Sequence, residues 1–325
     1  MKFGKSILLF LSIFVIIGFL STACNDNSTN PSGDNLGSDV SAMYQDSILF
    51  LTNRFSSDST TFHIAIINAD GSGMRVLFDK WNITYANWSL NTGRIYFSAD
   101  TNGDEESYQI YSCDMNCQNE TLLYSTTDYV GEIKVSPDGS KLLIMLTRNS
   151  GNKLVMLDLI TLQVSELTDY LVQPVSVAWS PDGSTLASAY KNEGDVNLEI
   201  FKLENQFFTH ERVFIDMVRP NNYVDWSRAT EKIAILVNHY SFSLLYCYDY
   251  YTKTDYQLTV GNFVTNGISW SQTGQRVVLA ESLVWIEPNN PARLLQSSLY
   301  VYNVDGTNKV QITDDTFVDK YPCWQ

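Results

Sequence analysis

A five-residue phrase ending in serine returns along the chain at a nearly constant interval. It reads YANWS ending at Ser89, EIKVS at Ser136, SVAWS at Ser180, YVDWS at Ser227 and GISWS at Ser271. The spacings are 47, 44, 47 and 44 residues, and a further copy, YPCW, ends at Trp324, 54 residues after Trp270. A period of this length belongs to a unit of four short antiparallel strands, the blade of a β-propeller.

Within each unit the phrase is followed by a turn, best preserved as Ser136-Pro137-Asp138-Gly139 and Ser180-Pro181-Asp182-Gly183. Proline presets φ at the second turn position, aspartate bonds back to the local backbone, and glycine takes the left-handed position. A second strand is then predicted (141–146, 185–190, 232–237, 276–281), and after it an aromatic, β-branched third strand (109–114, 154–159, 198–203, 244–249, 299–304). A fourth ends in a Leu-Thr-like pattern, as in SELTD, YQLTV and VQITD. No amphipathic helix is evident beyond residue 46. Residues 47–79 supply second, third and fourth strands with no phrase before them, and KYPCW supplies a first strand with nothing after it. Joined, the two ends make one blade, and a closed ring leaves no free sheet edge. The expected fold is all-β, a single propeller over residues 46–325 with six blades, seven being the alternative parse.

The WSPDG phrase in a β repeat of this length resembles the WD40-like repeats of the TolB-type six-bladed propeller. The resemblance spans roughly 46–325, although only two turns keep the full Ser-Pro-Asp-Gly; the others read Ser89-Leu90-Asn91-Thr92-Gly93, Ser227-Arg228-Ala229-Thr230 and Ser271-Gln272-Thr273-Gly274. TolB carries an α/β domain before its propeller, and here only a polar segment stands in that place. The repeat tryptophans Trp88, Trp179, Trp226, Trp270 and Trp324 read as structural fillers between blades.

The first residues read as an address. Lys2 and Lys5 precede an uncharged apolar run, Ile7 to Leu20, and then Ser21, Thr22, Ala23 and Cys24. This is a secretory signal over 1–23, and LSTAC resembles the bacterial lipobox, with Ser21 where leucine is usual. Cys24 is the expected lipidation site; an ordinary signal peptide or an uncleaved anchor is the other reading. Residues 24–45 are rich in Asn, Ser, Gly and Asp without apolar periodicity, the composition of a flexible tether. The 325-residue chain has 21 basic and 36 acidic residues, and removing Lys2 and Lys5 takes the net charge from −15 to 19 − 36 = −17. Such a surface repels phosphate backbones, which excludes nucleic acid as a partner.

In propellers of this kind, ligands meet the face built from the interblade loops and the loops between second and third strands. The candidate binding residues there are Trp81, Tyr85, Tyr129, Tyr170, Arg219, Tyr223, Phe263, Phe317 and Tyr321; the competing role is to plug the channel or pack between blades. Tyr85, Tyr223 and Tyr321 each precede a repeat tryptophan by three residues, so symmetry puts them in equivalent positions. The interruption 281–298 presents Trp285, Glu287 and Arg293, either as a binding loop or as a decorated surface hairpin. Asp100, Asn102 and Asp104 resemble the first half of a calcium loop, but the sixth position is Glu105 rather than glycine and the twelfth is Tyr111. Cys113 and Cys117 bracket a tight turn and could form a hairpin disulfide or remain thiols. His63, His210 and His239 are scattered, and no nucleophile elbow, zinc-protease or P-loop motif occurs. The reading is therefore a monomeric, exported, membrane-anchored lipoprotein without a cofactor, a non-catalytic platform for envelope proteins. Carbohydrate recognition is the second class, and a metal-assisted lyase or hydrolase the third.

Overall fold

The computed structural model describes residues 44, 46–168, 173–192, 195–204, 207–217, 222–238, 242–261, 263–282 and 296–324. The signal and most of the tether, including Cys24, lie outside the described residues, as do Tyr170, Arg219, His239, Trp285, Glu287 and Arg293. Twenty-four strands follow in chain order. β1 (Ser47–Thr52), β2 (His63–Asn68) and β3 (Arg75–Phe78) open the chain. Next come β4 (Asn82–Ser89), β5 (Arg94–Asp100), β6 (Tyr108–Asp114) and β7 (Thr121–Thr126), then β8 (Tyr129–Val135), β9 (Lys141–Arg148), β10 (Gly151–Asp158) and β11 (Val164–Glu166). β12 (Gln173–Trp179), β13 (Thr185–Asn192), β14 (Asp195–Glu204) and β15 (Phe207–Met217) precede β16 (Tyr223–Trp226), β17 (Lys232–Asn238), β18 (Ser243–Asp249) and β19 (Thr254–Gly261). β20 (Val264–Trp270), β21 (Arg276–Ser282), β22 (Ser298–Asn303), β23 (Val310–Gln311) and β24 (Asp319–Trp324) complete the set.

These strands form six four-stranded antiparallel sheets, each a simple meander except the first, whose order is β24-β1-β2-β3. The protein is a six-bladed β-propeller closed by its two ends. Ile48 faces Trp324 across the β1–β24 ladder, and Thr52 faces Asp319. A buried ionic clasp reinforces that closure. Arg54 donates to both Asp319 oxygens (Nε 3.2 Å, Nη2 2.7 Å) and to Asp314 Oδ2 (2.9 Å) and O (2.8 Å), while its guanidinium lies over Phe317.

The core is divided among the six seams between blades. One cluster joins the first two blades through Leu49, Ile64, Phe78, Trp88 and Phe97; the cluster of the last seam holds Ile48, Phe50, Val278, Leu299 and Trp324. Period-2 alternation on strands buried on both faces sends neighbouring residues into opposite seams: Ile48 and Phe50 one way, Leu49 and Leu51 the other. The repeat tryptophan always faces the preceding blade, and all five are at most 6% exposed. Val135 takes that position in the third blade.

The serine that ends each phrase ties the strand to its turn. Ser136 Oγ donates to Asp138 (2.5 Å) and accepts from Lys141 N–H (2.9 Å), and Ser140 N–H returns to Asp138 (3.0 Å). The Ser180–Asp182 turn repeats this pattern. These bonds hold Asp138 down at about 2, the Ser136 hydroxyl contributing most. Gly139 sits at φ 74°, and a Cβ there would meet Thr92 at 2.3 Å.

Candidate functional site

The first strand of every blade (β24, β4, β8, β12, β16 and β20) lines the central channel with one ladder partner and one open edge. In a sealed channel those open N–H groups would be costly. The chain satisfies one on each strand with a side chain from the blade before. Val135 N–H donates to Asn87 (3.2 Å), Val177 N–H to Glu132 (2.9 Å) and Val224 N–H to Ser176 (3.2 Å). Trp270 N–H donates to Asp225 (2.8 Å), Trp324 N–H to Ser269 (3.0 Å), and Trp88 N–H to the Cys323 sulfur. Six such clasps close the ring. A β-bulge recurs near the start of five of these strands, turning the residue three before the tryptophan into the channel.

Two layers of side chains result. In the upper layer, three residues before the tryptophan position, Tyr85, Tyr223 and Tyr321 come together: ring centroids are 4.9 Å apart for Tyr85–Tyr321 and 6.4 Å for Tyr223–Tyr321. Glu132 joins them, accepting from the Tyr85 hydroxyl (3.0 Å) and from Ser176 (3.4 Å). The lower layer, one residue before the tryptophan position, contains Asn87, Lys134, Asp225, Ser269 and Cys323. Lys134 Nζ stands 3.4 Å from Glu132, with both side chains buried. Burial pushes the carboxyls of Glu132 and Asp225 above their usual range, with Lys134 pulling against it. Burial also raises Tyr85 well above an ordinary phenol, and the nearby Glu132 charge adds to the effect. Sequence reasoning passed over Glu132, Lys134, Asp225 and Arg228. The signal was there: EIKV puts charges at both channel-facing positions of one phrase, and YVDWSR adds two more.

The residues expected on the loop-built face divide into groups. Tyr85 (5% exposed), Tyr223 and Tyr321 lie on channel strands rather than in loops, and they fill the upper channel. Trp81 is half-buried in the first seam, 4.8 Å from Tyr111 and 5.3 Å from Phe78. Phe263 is buried beneath Lys309, whose Nζ is 5.0 Å above its ring. Phe317 is half-buried under Arg54. Tyr129 is 39% exposed and stands edge-on to Tyr108 at 5.3 Å, and Phe55, which the sequence did not single out, is 46% exposed in the β1–β2 loop of the same face. Lys320, 3.4 Å over the Phe62 ring, is drawn down to about 8 by burial.

The acidic loop after β5 spends its carboxylates on itself. Asp100 accepts from the amides of Asn102, Gly103 and Glu105, and Asp104 from those of Glu106 and Ser107. Among the described residues no three His, Cys, Asp or Glu side chains are placed to hold a metal. Cys113 and Cys117 are buried free thiols, hydrogen-bonded to each other. His63 is buried on β2, and His210 lies on β15.

No family model matches the sequence, and no curated protein matches it as a relative. Solved structures do. TolB from Acinetobacter baumannii superposes with a TM-score of 0.69 at 19% identity, over 86% of this chain and 67% of that one. A structure assigned to TolB from Agrobacterium tumefaciens gives 0.61 at 14% identity, over 85% and 97%. The fold is that of the TolB propeller. A chain of the nidogen/laminin complex gives 0.62 at 9% identity, over 85% and 97%, so the TolB-type architecture is shared well beyond detectable sequence similarity.

Proposed function

We propose that the chain is an exported lipoprotein, lipidated at Cys24 and tethered to a cell-envelope membrane, whose TolB-type propeller docks a protein partner without catalysing a reaction. The observation that carries this reading is the state of the channel. Its upper layer is filled by Tyr85, Tyr223, Tyr321 and Glu132, with the Glu132 oxygens taken by neighbours. What remains open to a partner on that side is the rim, where Tyr129 and Phe55 project from a rigid scaffold. Exposed rigid aromatics are efficient contact anchors, and a net charge of 19 − 36 = −17 after removal of residues 1–23 favours a partner with a basic face and speeds its association. TolB among the structural neighbours, and a neighbour solved in a complex between two proteins, support docking over catalysis.

Two experiments test it. Fatty-acid labelling and membrane fractionation should follow wild type and be lost in Cys24→Ser. Crosslinking and affinity capture with the full mature chain should recover an envelope protein with wild type but not with Tyr129→Ala/Phe55→Ala. A glycan array positive for the Tyr129 ring, with no captured protein, would move carbohydrate binding to the front.

A further inference from the structure

The lower end of the channel encloses a cavity of about 40 Å³. Its wall includes the whole ring of side chains one residue before the tryptophan positions, Val135 and four repeat tryptophans, and from the turns beyond them Arg228, Ser271 and Gln272. Arg228 and Gln272 stand where Pro137 and Pro181 stand in the two intact Ser-Pro-Asp-Gly turns. Two of the three turns that drift from the repeat pattern therefore deliver polar side chains to the cavity.

Arg228 is the feature that needs explaining. Arg228 is partly buried, enough to draw its guanidinium below its ordinary value, yet it makes no hydrogen bond and no ion pair to any described residue. Its five N–H donors have no acceptor among the described residues, which leaves a rigid fork of donors unused at the cavity wall. The nearby Asp225 carboxylate attracts Arg228 without bonding to it, and its Oδ2 accepts from Trp270 N–H (2.8 Å) and from the Ser269 hydroxyl (3.2 Å). Lys134 brings a second buried cation to the wall, shared upward with Glu132. Lys134 is thus paired with Glu132, and the cation whose hydrogen-bond donors are left over is Arg228. The volume accommodates about three or four water molecules, by a requirement of about 10–15 Å³ each, or one carboxylate group.

We propose that this cavity is a carboxylate-binding site in which the Arg228 fork pairs with a single carboxylate group and Lys134 supplies the second positive charge. A planar guanidinium matches a carboxylate in two parallel hydrogen bonds. The tyrosine layer closes the upper side, so the group enters from the turn side. It belongs either to a small free monocarboxylic acid or to the C-terminus of a peptide.

The test is titration of the full mature protein with sodium acetate at constant ionic strength, by calorimetry and by thermal shift. Parallel titrations use trialanine with a free and with an amidated C-terminus. Wild type should show saturable acetate binding, weakened about tenfold or more in Arg228→Met. Without acetate, Arg228→Met should be as stable as wild type or more so, because the guanidinium makes no hydrogen bond or ion pair to a described residue. Free trialanine binding more tightly than acetate identifies a peptide terminus as the source, whereas acetate binding alone identifies a small acid. The proposal is overturned by the absence of saturable acetate binding, by equal binding to Arg228→Met, or by amidated trialanine binding as tightly as free trialanine where both bind. Destabilisation of ligand-free Arg228→Met would also overturn it, since it would show the side chain holding the turn together.

Discussion

The ring closes because Arg54, from the first blade's second-to-third-strand loop, clasps Asp319 at the start of the last strand, 265 residues away. Asp319 is wholly buried, and the Arg54 side chain is 6% exposed. Arg54→Ala removes four hydrogen bonds and leaves the Asp319 carboxylate buried without a cation. Breaking a buried pair from one side typically costs about 3–5 kcal/mol, well above the ~0–1 kcal/mol of a surface pair. Exposed Asp314 adds little to that sum. Urea unfolding followed by tryptophan fluorescence should show this loss as a fall in midpoint, with a Tm shift on the order of 10 °C. Replacing both partners, as in Arg54→Met with Asp319→Leu, should recover much of the stability, because no charge is then stranded. A loss below about 1 kcal/mol for Arg54→Ala, or no recovery in the double variant, would refute the claim that this clasp holds the composite blade.

Stability should peak in mildly acidic solution. Glu132, Asp225 and Glu281 have carboxyls raised by burial, so their contribution is complete below the usual carboxylate range and is lost as pH rises through the raised values. Asp138 and the other turn aspartates are lowered, so theirs is lost as pH falls toward about 2. Thermal melts should give a higher Tm near about pH 5 than at about pH 7.5, and Glu132→Gln should flatten the neutral side; a maximum above pH 7 would contradict the assignment. Gly139→Ala should cost about 1–2 kcal/mol by denaturant unfolding, because φ 74° disfavours a Cβ and Thr92 stands in its way. The hydrogen bond with Cys113, and then burial, push the Cys117 thiol far up, and both cysteines are buried, so iodoacetamide should leave Cys113 and Cys117 unmodified in the folded protein. Both should react in urea without reductant; a requirement for reductant would show that the pair had closed as a disulfide.

The fold was legible because one constraint repeats. Second strands expected at 141–146 and 232–237 are found at Lys141–Arg148 and Lys232–Asn238, and third strands expected at 109–114 and 244–249 at Tyr108–Asp114 and Ser243–Asp249. The Trp phrase marks the channel strand, the turn serine marks its end, and the unmatched ends of the chain required closure, which β24 on β1 supplies. The channel was harder to read. Which neighbour of each tryptophan faces the axis depends on bulges, and a bulge leaves no composition mark in Thr84 or Val175. Aromatic residues misled for a related reason. Trp81 looks like a loop anchor in sequence, yet Phe78, Phe97 and Tyr111 offer it a seam to enter. Arg228 was visible only as a departure from Ser-Pro-Asp-Gly, and its inward direction is a property of the closed ring.

The most direct test of the account is partner capture by three versions of the chain: wild type, Tyr129→Ala/Phe55→Ala, and Arg228→Met, each shown to be folded by circular dichroism. Docking on the rim predicts that one envelope protein is recovered by wild type and by Arg228→Met and is lost from the rim variant. Recovery that survives the rim changes, or a glycan in place of a protein, would contradict it.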